Sequence, residues 1–137
     1  MVVIFRFAAL YAAIVFALGF ALGALRILFL APVVGELAAV VIEVPPMLAL
    51  CWLVASRIFP GRGLTREQGV EIGLASFLLL QLAESALAGF PGPLSYVDNV
   101  LVYWGDLSTP RLVGLAGQVL FALFPLIHIL RSRQNDR

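Results

Sequence analysis

This sequence contains little charge and no lysine. Only 12% of its 137 residues are charged and 62% are hydrophobic, whereas soluble domains average about 25% charged residues. There is one cysteine and one histidine, so the chain by itself has no pair of ligands for a disulfide, a cysteine metal site or a bis-histidine haem site. No P-loop, dinucleotide-binding glycine pattern, zinc-binding helix or serine nucleophile elbow is present. These absences argue against an enzyme and predict no cofactor and no metal site.

Four long apolar segments predict four membrane-spanning helices. The segments are residues 7–25, 37–56, 72–90 and 112–130. The first and last contain no charged side chain at neutral pH, the second contains only Glu43, and the third is interrupted by Gln81 and Glu84. About 20 helical residues cross a hydrocarbon core of roughly 30 Å. Because backbone groups in lipid must be hydrogen-bonded within the protein, each segment is predicted to be a helix.

The predicted fold is therefore an all-α bundle of four transmembrane helices in a single domain, residues 1–137. The predicted helices cover residues 3–29, 33–59, 66–90 and 110–131. Seven of the nine arginines lie at the end of the bundle that carries both termini, here called the inner end, and only Arg26 and Arg111 lie at the outer end. Positive side chains accumulate on the cytoplasmic side, so both termini are predicted to be cytoplasmic. Arg6 precedes the first apolar segment as in a signal peptide, but we expect that segment to be retained.

The first two helices are predicted to form a tight hairpin that carries three charges, Arg26, Glu36 and Glu43. Ala31 and Pro32 form the predicted turn, with Pro32 at the first position of the second helix. Folding about Ala31 places Arg26 and Glu36 level with each other, about 7 Å inside the outer end, so they are predicted to pair. We interpret this pair as a structural clasp of the hairpin. The alternative is that Arg26 receives an anionic substrate or lipid group.

Glu43 is predicted to lie roughly 10 Å deeper than Glu36, near the bilayer midplane and level with Gly19. Pro45 and Pro46 follow it, and each removes a backbone donor and disfavours helix at the preceding residue. The second helix is therefore predicted to kink or break there. A break would expose carbonyl oxygens beside Glu43, an arrangement with which transporters hold cations. The alternative is a tolerated proline kink beside a protonated or hydrogen-bonded Glu43.

More polar side chains are predicted in the same outer half of the bundle. Glu84 lies roughly 9 Å below the outer surface, and Gln118, about 12 Å deep, is level with Gln81. The predicted polar cluster, a candidate ion or proton site, consists of Arg26, Glu36, Glu43, Gln81, Glu84 and Gln118. Three carboxylates and one guanidinium cannot all stay charged in a bilayer at modest cost. We therefore expect protonation, hydration or a bound cation.

Two pairs of glycines spaced by four residues predict close helix packing. They are Gly19 and Gly23 on the first helix, and Gly69 and Gly73 on the third. We interpret both pairs as sites of packing within the bundle, and the alternative is an oligomer interface.

The segment between the third and fourth helices, residues 91–109, predicts a short helix in the headgroup layer. The apolar residues at helical spacing are Leu94, Val97, Leu101 and Trp104. Aromatic side chains anchor such segments at the membrane surface. The alternative is that the segment forms a lid over the polar cluster.

Parts of the sequence resemble a known group of proteins to which no activity is assigned. GFALGALR is superficially similar to the first helix of fluoride channels, but the Asn of their second helix and their Phe/Thr-rich third helix are absent. Small multidrug exporters have a Glu in the first helix, and this chain has none. LGALRILFLAPVVGELAAVVIEVPPML and LAGQVLFALFP resemble a group of short, uncharacterised bacterial inner-membrane proteins with four helices. The resemblance covers most of the chain, implies the bacterial inner (cytoplasmic) membrane and implies no activity.

Two functions are predicted from these features. The first is a non-enzymatic accessory or self-associating subunit that contacts the lipid bilayer and forms a homo-oligomer or part of a larger membrane complex. The second is a proton- or cation-coupled transporter or channel that uses Glu43 and Glu84 and is gated near Pro45 and Pro46. The few arginines of residues 57–66 fit anionic lipid headgroups, so no nucleic-acid partner is predicted.

Overall fold

Five helices account for most of the part of the chain that the computed structural model describes, residues 1–90 and 94–135. They are α1 (Val2–Val34), α2 (Glu36–Ile58), α3 (Arg66–Ala88), α4 (Tyr96–Gly105) and α5 (Thr109–Asn135). α1, α2, α3 and α5 are long and apolar enough to cross a membrane, with mean hydropathies of 1.5 to 2.4 in their most apolar windows. α4 is too short, because 10 helical residues span only about 15 Å. The predictions of an all-α fold and of four candidate spans are confirmed.

The four long helices form a ring. α1 packs against α2 and α3, and α5 packs against the same two helices. Tyr11 of α1 crosses the centre of the bundle, where its hydroxyl donates to the carbonyls of Cys51 at 3.4 Å and Phe121 at 3.2 Å. Its ring stacks on Phe121 and meets Phe59 edge-on. The buried core, which includes Ile72, therefore lies towards the inner end.

α1 is longer than predicted and changes its geometry near the outer end. It is α-helical over Val2–Leu25, forms a π-helical turn over Arg26–Leu30 and returns to α-helix over Ala31–Val34. Pro32 therefore lies in the last turn of α1, and its prediction as the start of the second helix is wrong. A proline ring inside a helix clashes with the carbonyl four residues earlier. The wider π-helical turn directly before Pro32 provides room for it.

A single residue, Gly35, makes the turn between α1 and α2. Its φ of 84° and ψ of 162° belong to a region that glycine alone enters readily. The predicted turn at Ala31 is therefore wrong by four residues. Residues equally distant from the turn of an antiparallel hairpin lie side by side, so the shift brings Arg26 level with Glu43. Glu36 becomes the first residue of α2 at the outer end.

α2 continues through Pro45 and Pro46 as a single helix. The predicted break is therefore wrong, so no break exposes backbone carbonyls beside Glu43, and a kink without a break stays a prediction. Each proline still lacks the N–H that a carbonyl four residues earlier would accept. Membrane helices tolerate such positions, because neighbouring groups satisfy the carbonyls that are left free.

Glycines allow α3 and α5 to approach each other closely. A Cβ atom added at Gly73 would overlap the carbonyl oxygen of Ala122, and one added at Gly69 would lie 3.0 Å from Ile129 Cδ1. The structure thus places this glycine pair in a contact within the bundle. The inner end of α3 is closed by a capping box, in which Thr65 and Gln68 bond each other's backbone N–H groups.

α4 is attached to the outer end of α3. The Tyr96 hydroxyl donates to the Ala86 carbonyl at 3.2 Å, and the Asn99 side-chain amide donates to the Gly89 carbonyl at 3.2 Å. The Tyr96 ring covers Gly89 so closely that a Cβ atom there would overlap it. A short helix thus occurs in the segment where one was predicted, although residues 91–93 of that segment lie outside the described residues.

Candidate functional site

A cavity of about 680 Å³ lies in the outer half of the bundle, and all five helices contribute to its wall. Val15, Cys51, Leu80 and Phe121 line its inner end, next to the aromatic core. The charged residues in the wall are Arg26, Glu36, Glu43, Glu84, Asp106 and Arg111. The volume is within the range of about 300–1,000 Å³ that small-molecule sites occupy.

Arg26 and Glu43 form the first ion pair of the cavity. Arg26 Nε lies 2.5 Å from Glu43 Oε2, and the two side chains are only 21% and 16% exposed. The Nε–H bond does not point at the carboxylate, so the contact is an ion pair without a well-aligned hydrogen bond. The predicted pair of Arg26 and Glu36 is wrong, because the turn at Gly35 sets a different register. Glu36 is exposed and forms no ion pair with any described residue.

Glu84 is the centre of the second charged group. Its Oε1 accepts a hydrogen bond from Gln118 Nε2 at 2.6 Å, and its Oε2 accepts one from the Tyr103 hydroxyl at 2.8 Å. Arg111 Nη1 lies 3.5 Å from Oε2, and the guanidinium covers the Tyr103 ring at 4.1 Å from its centroid. Burial and the charge of Glu84 raise the pKa of Tyr103, so the phenol stays protonated and donates. α3, α4 and α5 are thereby joined at one carboxylate.

The two groups form one polar layer across the bundle, composed of Arg26, Glu43, Glu84, Tyr103, Arg111 and Gln118. Val44 of α2 lies beside Gly117 of α5, since a Cβ atom added at Gly117 would be 3.4 Å from Val44 Cγ1. Glu43 therefore lies near the level of Gln118, which bonds Glu84. Glu43 and Glu84 are also close enough to interact electrostatically. Each spanning helix thus contributes to the layer, and its two arginines balance its two carboxylates.

Two further carboxylates lie at the mouth of the cavity. Glu36 and Asp106 both line the wall and are exposed. The backbone N–H of Ser108 donates to Asp106 Oδ1 at 2.9 Å and holds the pKa of Asp106 below its ordinary value. Asp106 is therefore ionised at neutral pH. Within residues 1–90 and 94–135, no arginine forms an ion pair with either carboxylate.

The wall on the side of α1 is open. Phe20, Ile27 and Leu28 line the cavity and are nevertheless more than half exposed. They belong to a span that is apolar enough to lie in lipid. The cavity is therefore bordered on this side by apolar side chains that lie at the surface of the bundle.

The structure separates the predicted site residues into two sets. Gln81 is buried outside the cavity wall, and its Oε1 has no hydrogen-bond partner among the described residues. It does not line the cavity and makes no contact with Glu84 that would join it to the polar layer. Pro45 and Pro46 do not line the cavity, nor do Gly69 and Gly73.

The cavity wall does include Gly19 and Gly23. A Cβ atom added at Gly19 would lie 3.3 Å from Met47 Cε, and one added at Gly23 would lie 3.9 Å from Glu43 Oε1. The glycine beside the Glu43 carboxyl is therefore Gly23, and the prediction of Gly19 is wrong.

Two members of the polar layer were not in the predicted cluster. Arg111 was interpreted only as a topology signal and Tyr103 only as an aromatic anchor or part of a lid. One sequence signal could have found Arg111, because it lies seven residues before Gln118 and therefore on the same helix face. No comparable signal identifies Tyr103, since its position depends on how α4 folds back over the bundle.

The fold and the cavity define an all-helical protein in which four helices are long and apolar enough to cross a membrane and a polar layer lies between them. In the part of the chain that the structure describes, no group of three or more His, Cys, Asp or Glu side chains could hold a metal ion. No protein-family model matches the chain, and no curated protein or solved structure is significantly similar to it. Its function is therefore inferred from the geometry of the cavity.

Proposed function

We propose that this chain is a non-enzymatic carrier or channel of the bacterial inner membrane that takes a small solute into the cavity between its four spans. The observation that supports the proposal is that both ion pairs line a cavity. Charges that served only to fix the register of the helices would be expected in a closed, dry contact. Both termini are proposed to be cytoplasmic, because seven of the nine arginines lie at that end.

Glu43 and Glu84 are the proposed coupling groups. They lie on facing helices, α2 and α3, and each is paired with an arginine across the cavity. Protonation of either carboxyl would remove its attraction for the guanidinium and leave that arginine free to move. Since two arginines already balance the two carboxylates, the layer favours coupling to protons over a permanently bound metal cation.

An accessory or self-associating subunit is the second candidate. It is favoured by the surface of α1, because only 6% of the most apolar window of that helix is buried, against 33% for α3. Most of α1 is thus available to lipid or to another membrane protein. The predicted glycine pairs lie against α5 or in the cavity wall, so association with further copies would use other side chains.

Proton flux in liposomes tests the proposed function. Full-length protein is reconstituted into liposomes that contain a pH-sensitive dye, and proton entry is driven by an imposed membrane potential. We expect flux above that of protein-free liposomes. Glu43→Gln and Glu84→Gln should each reduce it at least tenfold, while the control Glu71→Gln, an exposed position of α3 outside the cavity wall, should retain it.

The same experiment separates the two candidates. Absence of flux from the wild-type protein, together with loss of folding in the two variants, would contradict the carrier and favour the accessory subunit. Loss of flux in variants that insert and elute like the wild type would favour the carrier.

A further inference from the structure

One carboxylate oxygen of the polar layer has no donor among the described residues. Both oxygens of Glu84 accept hydrogen bonds, and Arg26 occupies Oε2 of Glu43. Oε1 of Glu43 accepts none from any described residue, and the Glu43 side chain lines the cavity with 16% of its surface exposed. A charged oxygen in such a position requires a donor from water or from a ligand.

The charges of the wall are also unequal in number. The wall contains four carboxylates, Glu36, Glu43, Glu84 and Asp106, and two guanidinium groups. Both guanidinium groups are already paired with carboxylates of the polar layer. The uncompensated charge is therefore negative and lies at the mouth. An anionic ligand would have to displace an existing ion pair, whereas a cationic one would not.

The remaining wall is apolar and partly aromatic. Phe16 and Phe121 lie with Leu48 and Leu80 on the inner side of the polar layer, and Phe20 lies on the open side. Aromatic faces attract cations, and apolar walls favour a ligand with an apolar body. A hydrated metal ion would be stabilised neither by the aromatic faces nor by the apolar wall.

We propose that the cavity binds a primary organic ammonium compound with an apolar body. The ammonium group donates to Glu43 Oε1, and the apolar body lies against the inner wall. The carboxylates of Glu36 and Asp106 attract the cation at the mouth. This proposal rests on the proposed function, because it names the class of solute that the same cavity takes.

Four compounds with one apolar body test the proposal. They are 4-phenylbutylammonium, 4-phenylbutyltrimethylammonium, 4-phenylbutanol and 4-phenylbutyrate. Binding to the full-length protein in neutral detergent is measured by isothermal titration calorimetry, with empty micelles as the blank. We expect saturable binding of 4-phenylbutylammonium at least tenfold tighter than that of the alcohol. The trimethylammonium compound should bind more weakly than the primary ammonium because it has no N–H donor, and the carboxylate should bind most weakly.

Two variants of the first ion pair should change the affinity in opposite directions. Glu43→Gln should lower the affinity for 4-phenylbutylammonium at least tenfold, towards that of the alcohol. Arg26→Gln should raise it, because the positive charge that neutralises Glu43 and repels a second cation is then absent. If the ion pair had only a structural role, Arg26→Gln would not raise the affinity for 4-phenylbutylammonium. Glu71→Gln is the matched control and should leave the affinity unchanged.

A double variant covers the case in which Glu43→Gln does not fold. Arg26→Gln combined with Glu43→Gln replaces both charges by amides of similar size, and it should bind the ammonium and the alcohol equally.

The possible results separate this proposal from the function on which it rests. Equal saturable binding of the ammonium and the alcohol by the wild type, or preference for the carboxylate, would overturn the organic cation and leave a solute-binding cavity. No saturable binding of any of the four compounds would overturn both. Selective binding of the ammonium without proton flux would overturn the carrier alone.

Discussion

At the scale of single residues, the charges of the polar layer stabilise one another. A lone charge in a membrane-spanning bundle costs several kcal/mol, so an arginine or glutamate there needs a partner or water. Arg26 and Glu43 meet both conditions, because they touch each other and line a cavity. Glu84 has more partners, since Gln118 and Tyr103 donate hydrogen bonds to it and Arg111 forms an ion pair with it.

The first prediction at this scale concerns the stability of the ion pair. Removing one partner of a fully buried pair costs about 3–5 kcal/mol, because the other charge is left uncompensated. Since this pair lines a cavity that water can enter, we expect Glu43→Gln to lower the free energy of unfolding by about 1–3 kcal/mol. Thermal unfolding in mild detergent, followed by circular dichroism, measures the effect.

The control is to remove both charges together. Arg26→Gln combined with Glu43→Gln should recover most of the lost stability, since no uncompensated charge is left. Glu71→Gln should stay within about 0.5 kcal/mol of the wild type, as exposed substitutions usually do. Equal losses for the single and double variants would show that the stability does not depend on charge pairing.

At the scale of helices, α1 and α2 meet through a register that Gly35 sets, whereas α3 and α5 meet through direct backbone contact. In the second case Gly73 lies against the carbonyl of Ala122. A glycine in a helix usually costs about 1 kcal/mol relative to alanine. At Gly73 this cost is offset by the close approach that the missing side chain permits.

The prediction for this contact compares two glycines. Gly73→Ala should destabilise the bundle by about 1–3 kcal/mol, because the added methyl group forces α3 away from α5. Gly114 of α5 lines the cavity and has no atom within 4 Å of an added Cβ. Gly114→Ala should therefore be neutral or stabilising by up to about 1 kcal/mol. Thermal unfolding of both variants tests this. If Gly73→Ala did not lower the stability, the close approach of α3 and α5 would not contribute to it.

At the scale of the whole molecule, the bundle has two unlike ends. The inner end contains the buried aromatic core of Tyr11, Phe59 and Phe121. The outer end contains the cavity and is bridged by α4, which Tyr96 and Asn99 attach to α3. The cavity therefore lies nearer to the outer end of the bundle than to the end that carries the aromatic core.

The topology is tested by labelling with a membrane-impermeant thiol reagent. Cys51 is the one cysteine of the chain and only 1% exposed, so it can be left in place. We expect Arg62→Cys, in the connection between α2 and α3, to react only from the cytoplasmic side. Leu107→Cys, at an exposed position before α5, should react only from the opposite side. The reverse pattern would contradict cytoplasmic termini.

Properties that depend on one segment at a time could be predicted from the sequence. The four spans follow from the length and apolar composition of each segment, and the short helix after α3 follows from local spacing. Gln118 was predicted to lie level with Gln81, about 3 Å deeper than Glu84, whereas its side chain bonds Glu84 in the structure. The partner of Arg26 could not be predicted in this way, because Ala31 and Pro32 form the predicted turn whereas Gly35 makes it in the structure.

The sequence by itself determined that this is a bundle of apolar helices with a few costly charges in its outer half, since hydropathy and helix length are properties of single segments. Only the tertiary structure decided which charges meet. A four-residue shift of the hairpin turn changes the residue opposite Arg26 by about eight positions, or about 12 Å along α2, which is enough to replace Glu36 by Glu43 beside Arg26. It also decided that Arg111 and Tyr103 complete the layer, because contacts between distant segments depend on how the helices pack and not on the pattern within any one of them.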